Sequence, residues 1–219
     1  MLIGHYAVAL AAKKASPKIS LGTFLIAAQL PDLLFPLFIL LGVEHVRIAP
    51  GITVVFPMDL YDYPLSHSLF SGLLWSTALA SLYYIIYKEK RGAAIVGLAV
   101  ISHWILDLIT HRPDLSLGFG TGTYVGLGLW NSLAGTLIVE SALFIIGVAL
   151  YSRTTKSTDR VGSIGFWSWI GFLIMMYAGS FFGSDSAINT FSTILLMVGS
   201  WALILWGYWA DKHRTTSKA

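Results

Sequence analysis

Six stretches of this chain are apolar for long enough to cross a membrane, and that limits its fold more than anything else in the sequence. A helix needs about 20 apolar residues to pass a hydrocarbon core of about 30 Å. Leu21–Leu41, Ser68–Tyr87, Ala93–Thr110, Ser132–Tyr151, Ile164–Phe182 and Thr190–Ala210 meet or approach that length. Charged residues make up only 11% of the chain, against roughly a quarter in a soluble domain, so the outer surface cannot be mostly wetted. The expected fold is all-α: a polytopic membrane helix bundle of about six transmembrane helices, preceded by a short half-inserted helix. That helix is Met1–Ala12, which at ~18 Å is too short to span. It does not read as a signal peptide, because its basic residues follow the apolar stretch. The first span contains Gln29, Pro31, Asp32 and Pro36, and the prolines predict a kink or break near its middle.

The connections alternate in charge. Lys13, Lys14 and Lys18 precede the first span; Lys88, Lys90 and Arg91 join the second and third. Arg153, Lys156 and Arg160 join the fourth and fifth, and Lys212, Arg214 and Lys218 close the chain. The intervening segments Gly42–His67, His111–Asn131 and Gly183–Asn189 hold only Arg47 and Arg112. The positive-inside rule then predicts a multi-pass protein of the cytoplasmic (inner) membrane with both termini cytoplasmic. Trp130, Tyr124, Trp206, Tyr208 and Trp209 fall near the expected interfaces, as an aromatic belt would. The polar linker Ser152–Ser163 divides a polar-site-bearing front part, residues 1–151, from a back part, 152–219. The back part holds two packing helices and a basic tail. Neither back helix carries an ionisable residue between Ile164 and Phe182 or between Thr190 and Ala210. Their Gly171, Ala178, Gly179 and Ser200 suit close packing in lipid.

Several chemistries are excluded or left without support. The chain has no cysteine, which rules out disulfides, thiolate metal sites and cysteine nucleophiles. Its basic residues form no stripe on a soluble face, so nucleic acid is not an expected partner. Gly126-Leu127-Gly128-Leu129-Trp130-Asn131 lacks the lysine of a phosphate loop and reads as a helix entry capped by Asn131 or Ser132. No Gly-x-Ser-x-Gly elbow is present.

Ionisable side chains at bilayer depth are costly and tend to be functional. The spans hold Asp32, His103, Asp107 and Glu140, with Gln29 and His67 close by. Counted from the basic ends at ~1.5 Å per residue, Asp32, His103 and Glu140 each lie ~18–20 Å deep. Three helices thus bring ionisable groups to one level. His103, Asp107 and His111 follow one another at i, i+4 and i+8, on one helical face. A neutral imidazole and a carboxylate four apart suit zinc or a similar divalent cation; a hydrogen bond between the two is the plainer alternative. Asp32 after Pro31 either turns into a cavity or caps a half-helix. Glu140 is a general base, a partner of the ligands, or a protonated acid bonded to a neighbouring helix. His5 and His67, each alone, are unremarkable, and their counted depths differ by ~18 Å. Glu44, His45, Asp59, Asp62, Asp114 and Asp185 read as solvated loop residues, and His213 as an interface residue.

Gly4-His5, Leu30-Pro31-Asp32, Ser66-His67-Ser68 and Ser102-His103-x-x-x-Asp107 together resemble the LexA-binding, inner-membrane-associated metal-dependent hydrolases. That family is distantly similar to zinc-dependent phospholipase C and P1-type nucleases. The resemblance runs from about Leu2 to Pro113 and implies His5, Asp32, His67, His103 and Asp107 as metal ligands. Two departures stand out. Many members read Asp-x-Asp-His after the proline, where this chain has Asp32-Leu33-Leu34-Phe35. Many carry a second histidine five residues before His67, where this chain has Asp62. A single or reduced site is therefore expected instead of a multinuclear cluster, with Asp62, His111, Gln29 and Glu140 as candidate compensating groups.

The expected function is a metal-dependent hydrolase, with zinc as the divalent cation, acting on a lipid or lipid-linked phosphoester from the extracytoplasmic side. Asp32 or Glu140 is the candidate general base, and membrane lipid and a second copy of the chain are the candidate partners. A proton- or metal-coupled transporter and a non-catalytic membrane scaffold are the alternatives.

Overall fold

A computed structural model describes residues 1–119, 122–181 and 190–217. The helices in chain order are α1 (Ile3–Ala15), α2 (Leu21–Leu40), α3 (Pro64–His67), α4 (Leu69–Tyr87), α5 (Lys90–Thr110), α6 (Leu133–Thr154), α7 (Arg160–Ser180) and α8 (Thr190–Lys212). Among the described residues, six helices are long and apolar enough to cross a membrane: α2 and α4 through α8. The chain is thus an all-α, multi-pass membrane bundle, and each expected span coincides with one of these helices. Large apolar side chains such as Leu98, Ile138, Ile145 and Leu195 face outward, as they do where the solvent is lipid. The Gly183–Asn189 connection, Asp185, Phe182 and Lys218 lie outside the described residues.

Side-chain caps start most of the spans. Ser20, Ser68 and Ser132 each accept from the backbone N–H three residues on at 3.1 Å. Glu89 takes the N–H groups of Arg91 and Gly92, and Asp159 takes that of Gly162 at 2.8 Å. Each supplies a partner to a donor that a helix start leaves free.

The two ends of the bundle differ. At one end, β5 (Thr155–Ser157) pairs antiparallel with β6 (Arg214–Thr216), joining the exit of α6 to the exit of α8. Arg91 donates to the Ala15 carbonyl there, so the connection before α5 lies at this basic end too, while Arg47 and Arg112 lie at the other. At the opposite end, β1 (His45–Ile48) pairs with β2 (Met58–Asp62), and β3 (Leu115–Ser116) with β4 (Tyr124–Val125). These strands, and a 3-10 turn at Leu129–Asn131, form a small cap over the helix ends. Val55 N–H bonds the Trp130 carbonyl, and Phe70 N–H that of Leu117.

Two expectations about helix breaks exchange places. Helix α2 runs unbroken through Pro31 and Pro36, whereas the chain breaks between α3 and α4, where Ser68 is extended. The prolines of α2 remove the N–H donors to the Ala27 and Asp32 carbonyls without stopping the helix. The break at Ser68 detaches His67 from the top of α4, so the height counted for it along that span does not apply.

Helix α1 does not span. It is seated in the bundle, mainly against α6, α2 and α5, with Ile3, Tyr6, Ala7 and Leu10 buried. The largest buried side chains, Trp169 and Tyr151, belong to α7 and α6. The back helices are also tied to the front by charge, contrary to the expectation of a merely apolar pair. Asp211, at the end of α8, is buried. Its Oδ2 accepts from Lys13 Nζ at 2.9 Å and from Leu21 N at 2.8 Å, and its Oδ1 from the Tyr151 hydroxyl at 2.6 Å. Gly171 and Gly179, expected at packing faces, meet no neighbouring side chain among the described residues. Among the glycines that do allow close approach are Gly207, against Leu25 and Trp169, and Gly22, against Tyr208.

Candidate metal centre

Asp107 is the hub of the polar cluster. It is buried on α5, and both its oxygens are surrounded. Oδ1 lies 2.5 Å from the Met1 amino group and 3.0 Å from His5 Nε2. Oδ2 lies 3.1 Å from His103 Nε2 and 3.9 Å from both His67 Nε2 and His111 Nε2. Asp32 Oδ1 approaches the same imidazoles, 3.4 Å from His67 Nε2 and 3.7 Å from His103 Nε2. Asp32 is the open member, its side chain 44% exposed, whereas those of His103 and Asp107 are 1% and 3% exposed. His5 stacks flat on His103, ring centroids 3.7 Å apart. Two groups of three hold ligand atoms within 4.8 Å of one another: His5, His103 and Asp107, and Asp32, His67 and His103.

The histidines share an orientation set by their outer nitrogens. His103 Nδ1 lies 2.8 Å from the Ala28 carbonyl, which can only accept, so Nδ1 carries the hydrogen and Nε2 the lone pair. His111 Nδ1 lies 3.0 Å from Asp114 Oδ1, which assigns it the same tautomer, and its ring packs on Trp130 at 4.4 Å. His67 Nδ1 lies 2.6 Å from Ser66 Oγ. Three imidazoles are thus held from outside while their Nε2 atoms converge on two carboxylates.

His103 Nε2 is buried and makes no hydrogen bond, and neither does His5 Nδ1. A lone pair 3.1 Å from a carboxylate oxygen is repelled unless a proton or a metal cation lies between the two. Zinc bonds of about 2.0–2.1 Å put neighbouring atoms of a tetrahedral ligand set about 3.3–3.4 Å apart. The His67 and His103 Nε2 atoms lie 3.1–3.9 Å from the Asp32 and Asp107 oxygens, close to that spacing. Neutral imidazoles and carboxylates are also the donors zinc takes. The residues therefore fit such an ion.

The remaining candidates divide. His111 joins the edge of the cluster. Gln29 is buried one turn before Asp32 with its Oε1 unpartnered, but belongs to neither ligand group. Asp62, on β2, is 46% exposed, pairs with His45 Nδ1 at 2.8 Å and belongs to neither ligand group found among the described residues. Glu140 is engaged at the start of α1. Its Oε2 accepts from the N–H groups of Leu2, Ile3 and Gly4 at 2.9, 2.9 and 3.3 Å, so α6 supplies the cap for the start of α1.

Other groups were read as solvated loop and are not. Glu44 and Asp59 are buried. Asp59 takes Arg47 Nε at 2.8 Å, and also Arg112. Glu44 holds Ser66 through Oε1 to its N–H at 2.8 Å and Oε2 to its hydroxyl at 2.7 Å. Burial pushes the Glu44 carboxyl above the usual carboxylate range, and the bonds from Ser66 oppose that rise. Tyr63 donates to Asp114 Oδ1 at 3.2 Å. A carboxylate in an otherwise apolar turn just after α2 was the only sequence signal for Glu44.

Comparison with models of protein families, with characterised proteins and with solved structures found no match for the chain.

Proposed function

We propose that this protein is a membrane-embedded, divalent-metal-dependent hydrolase, with zinc as the metal, acting on a lipid or lipid-linked phosphoester. The observation that carries this reading is the buried, unpartnered Nε2 of His103 facing two carboxylates at near the spacing of zinc ligands. The motif resemblance to the LexA-binding, inner-membrane-associated metal-dependent hydrolases points the same way. A divalent cation, when bound, supplies Lewis acidity toward a phosphoryl oxygen and a water acidified toward neutrality. His5, His67, His103 and Asp107 would hold it, with Asp32 beside them on the open side and outside that set. With Glu140 engaged at the start of α1, Asp32 is the carboxylate left to receive a proton from the attacking water. The enclosing apolar helices exclude bulk water, which strengthens each charge interaction inside.

The basic end is assigned to the cytoplasm of an inner membrane by the positive-inside rule, and the strand-bearing end, with the cluster below it, to the other side. That depth favours a substrate with its tail in the bilayer over a soluble one. The test is metal analysis of purified protein beside His103→Ala and the His103→Ala, Asp107→Ala pair, with hydrolysis of phospholipids and lipid-linked phosphates followed in parallel. Stoichiometric zinc in the wild type, lost from both variants together with hydrolysis, is the expected result. Metal retained in the double variant overturns the ligand set. A wild type free of metal, with variants that only lose stability, makes the cluster structural and favours the scaffold reading.

A further inference from the structure

We infer that Glu44, acting through Ser66, is a positioning residue that holds His67 in the tautomer with its hydrogen on Nδ1. The argument counts hydrogens. Ser66 has one hydroxyl hydrogen and three oxygen or nitrogen neighbours: Glu44 Oε2 at 2.7 Å, His67 Nδ1 at 2.6 Å and the Tyr63 carbonyl at 3.5 Å. The carboxylate wins that hydrogen, because a charge-assisted bond is about twice as strong as a neutral one and the Tyr63 contact is long. Glu44 also grips the Ser66 N–H, so the hydroxyl cannot turn away. The Ser66 oxygen is then left to accept, and the 2.6 Å contact requires His67 Nδ1 to donate. His67 Nε2, free of the Ser66–Glu44 pair, is thereby turned toward Asp32, 3.4 Å away, where a cation or a second hydrogen can sit. Ser66 is fully buried and Glu44 nearly so, so water does not compete for these bonds.

The consequence for metal affinity rests on the metal-centre reading above; the tautomer does not. Partners that orient a ligating imidazole are typically worth 10–100-fold in metal affinity. Glu44→Gln keeps the shape and reverses the logic. Its carbonyl oxygen must serve the Ser66 N–H, so its NH₂ faces the hydroxyl. The Ser66 hydrogen then turns to His67 Nδ1, and the imidazole hydrogen moves to Nε2.

The experiment is nitrogen NMR of metal-free protein with ¹⁵N-labelled histidine in detergent, with His67 signals assigned by their loss in His67→Gln. Zinc titration of the same samples follows. We expect His67 to carry its hydrogen on Nδ1 in the wild type and on Nε2 in Glu44→Gln, with zinc affinity lowered 10–100-fold. Ser66→Ala, which keeps the backbone bond to Glu44, is expected to give a mixture of tautomers and covers the case in which Glu44→Gln does not fold. A wild-type His67 protonated on Nε2, or a tautomer unchanged in both variants, overturns the inference whether or not zinc binds. A tautomer that shifts as expected in a protein with no affinity for zinc upholds the role of Glu44 and instead removes the metal-centre reading.

Discussion

Gly147 on α6 and Ala7 on α1 approach so closely that a Cβ added at Gly147 would lie 2.6 Å from the Ala7 carbonyl oxygen and 2.8 Å from its Cα. Backbone, not a movable side chain, meets that atom. Gly147→Val must therefore push α1 aside, and His5 with it. Overpacking of this kind costs about 1–3 kcal/mol. The expected outcome is a lower melting temperature in detergent and weaker zinc binding. Gly171→Ala, at an open position, should change neither.

Glu140 separates a helix cap from a base. Glu140→Gln keeps an acceptor for α1 and should retain much of the hydrolysis under saturating zinc. Glu140→Ala leaves buried N–H groups of α1 unpaired and should lose about 1–3 kcal/mol of stability. Complete loss of turnover in a well-folded Glu140→Gln protein would return the catalytic role to this residue.

Lys13 and Asp211 form a buried pair 198 residues apart in sequence. Removing one partner of such a pair strands the other charge and costs about 3–5 kcal/mol. Asp211→Ala and Lys13→Met should each be strongly destabilised in thermal unfolding, and the double variant less so than the sum. Additive losses would mean that the two do not act as a unit.

At the start of α7, Asp159 is held below the usual carboxylate range by the Gly162 N–H and then by His213. A carboxylate whose folded pKa is depressed stabilises the fold above its unfolded pKa and loses that contribution as pH falls through the folded one. Asp159→Asn should therefore melt earlier than wild type at neutral pH, and the difference should shrink below about pH 4. A difference that stays constant down to pH 3 contradicts the ionised cap.

Topology is open to direct labelling. Reporters at both termini and within Ser152–Ser163 should read cytoplasmic, and those within Gly42–His67 and Leu115–Asn131 external. A periplasmic signal from the C-terminus would reverse the assigned side of the site.

The spans, the alternation of basic connections and the level shared by Asp32 and His103 were legible because hydropathy, charge and helical rise act along the chain. The gathering of His5 and His67 around Asp107 was not, because counting depth assumed that His67 tops a continuous span. One extended residue, Ser68, undoes that count. Pro31 and Pro36 misled in the other direction: a proline removes particular bonds, and whether the helix ends depends on neighbours that sequence does not reveal. Glu44 and Asp59 were misread, and Asp211 was passed over, for a related reason. A charge beside a span looks solvated until a partner far along the chain, such as Ser66, Arg112 or Lys13, covers it.

The seating of α1 also orders the birth of the protein. His5 meets Asp107 across 102 residues, and the start of α1 meets Glu140 across 136 to 138. Contacts this distant in sequence form late. The first helix therefore reaches its place only after α6 has entered the membrane. Until then the N–H groups of Leu2, Ile3 and Gly4 lack Glu140, so the polar cluster is among the last parts of the bundle to close.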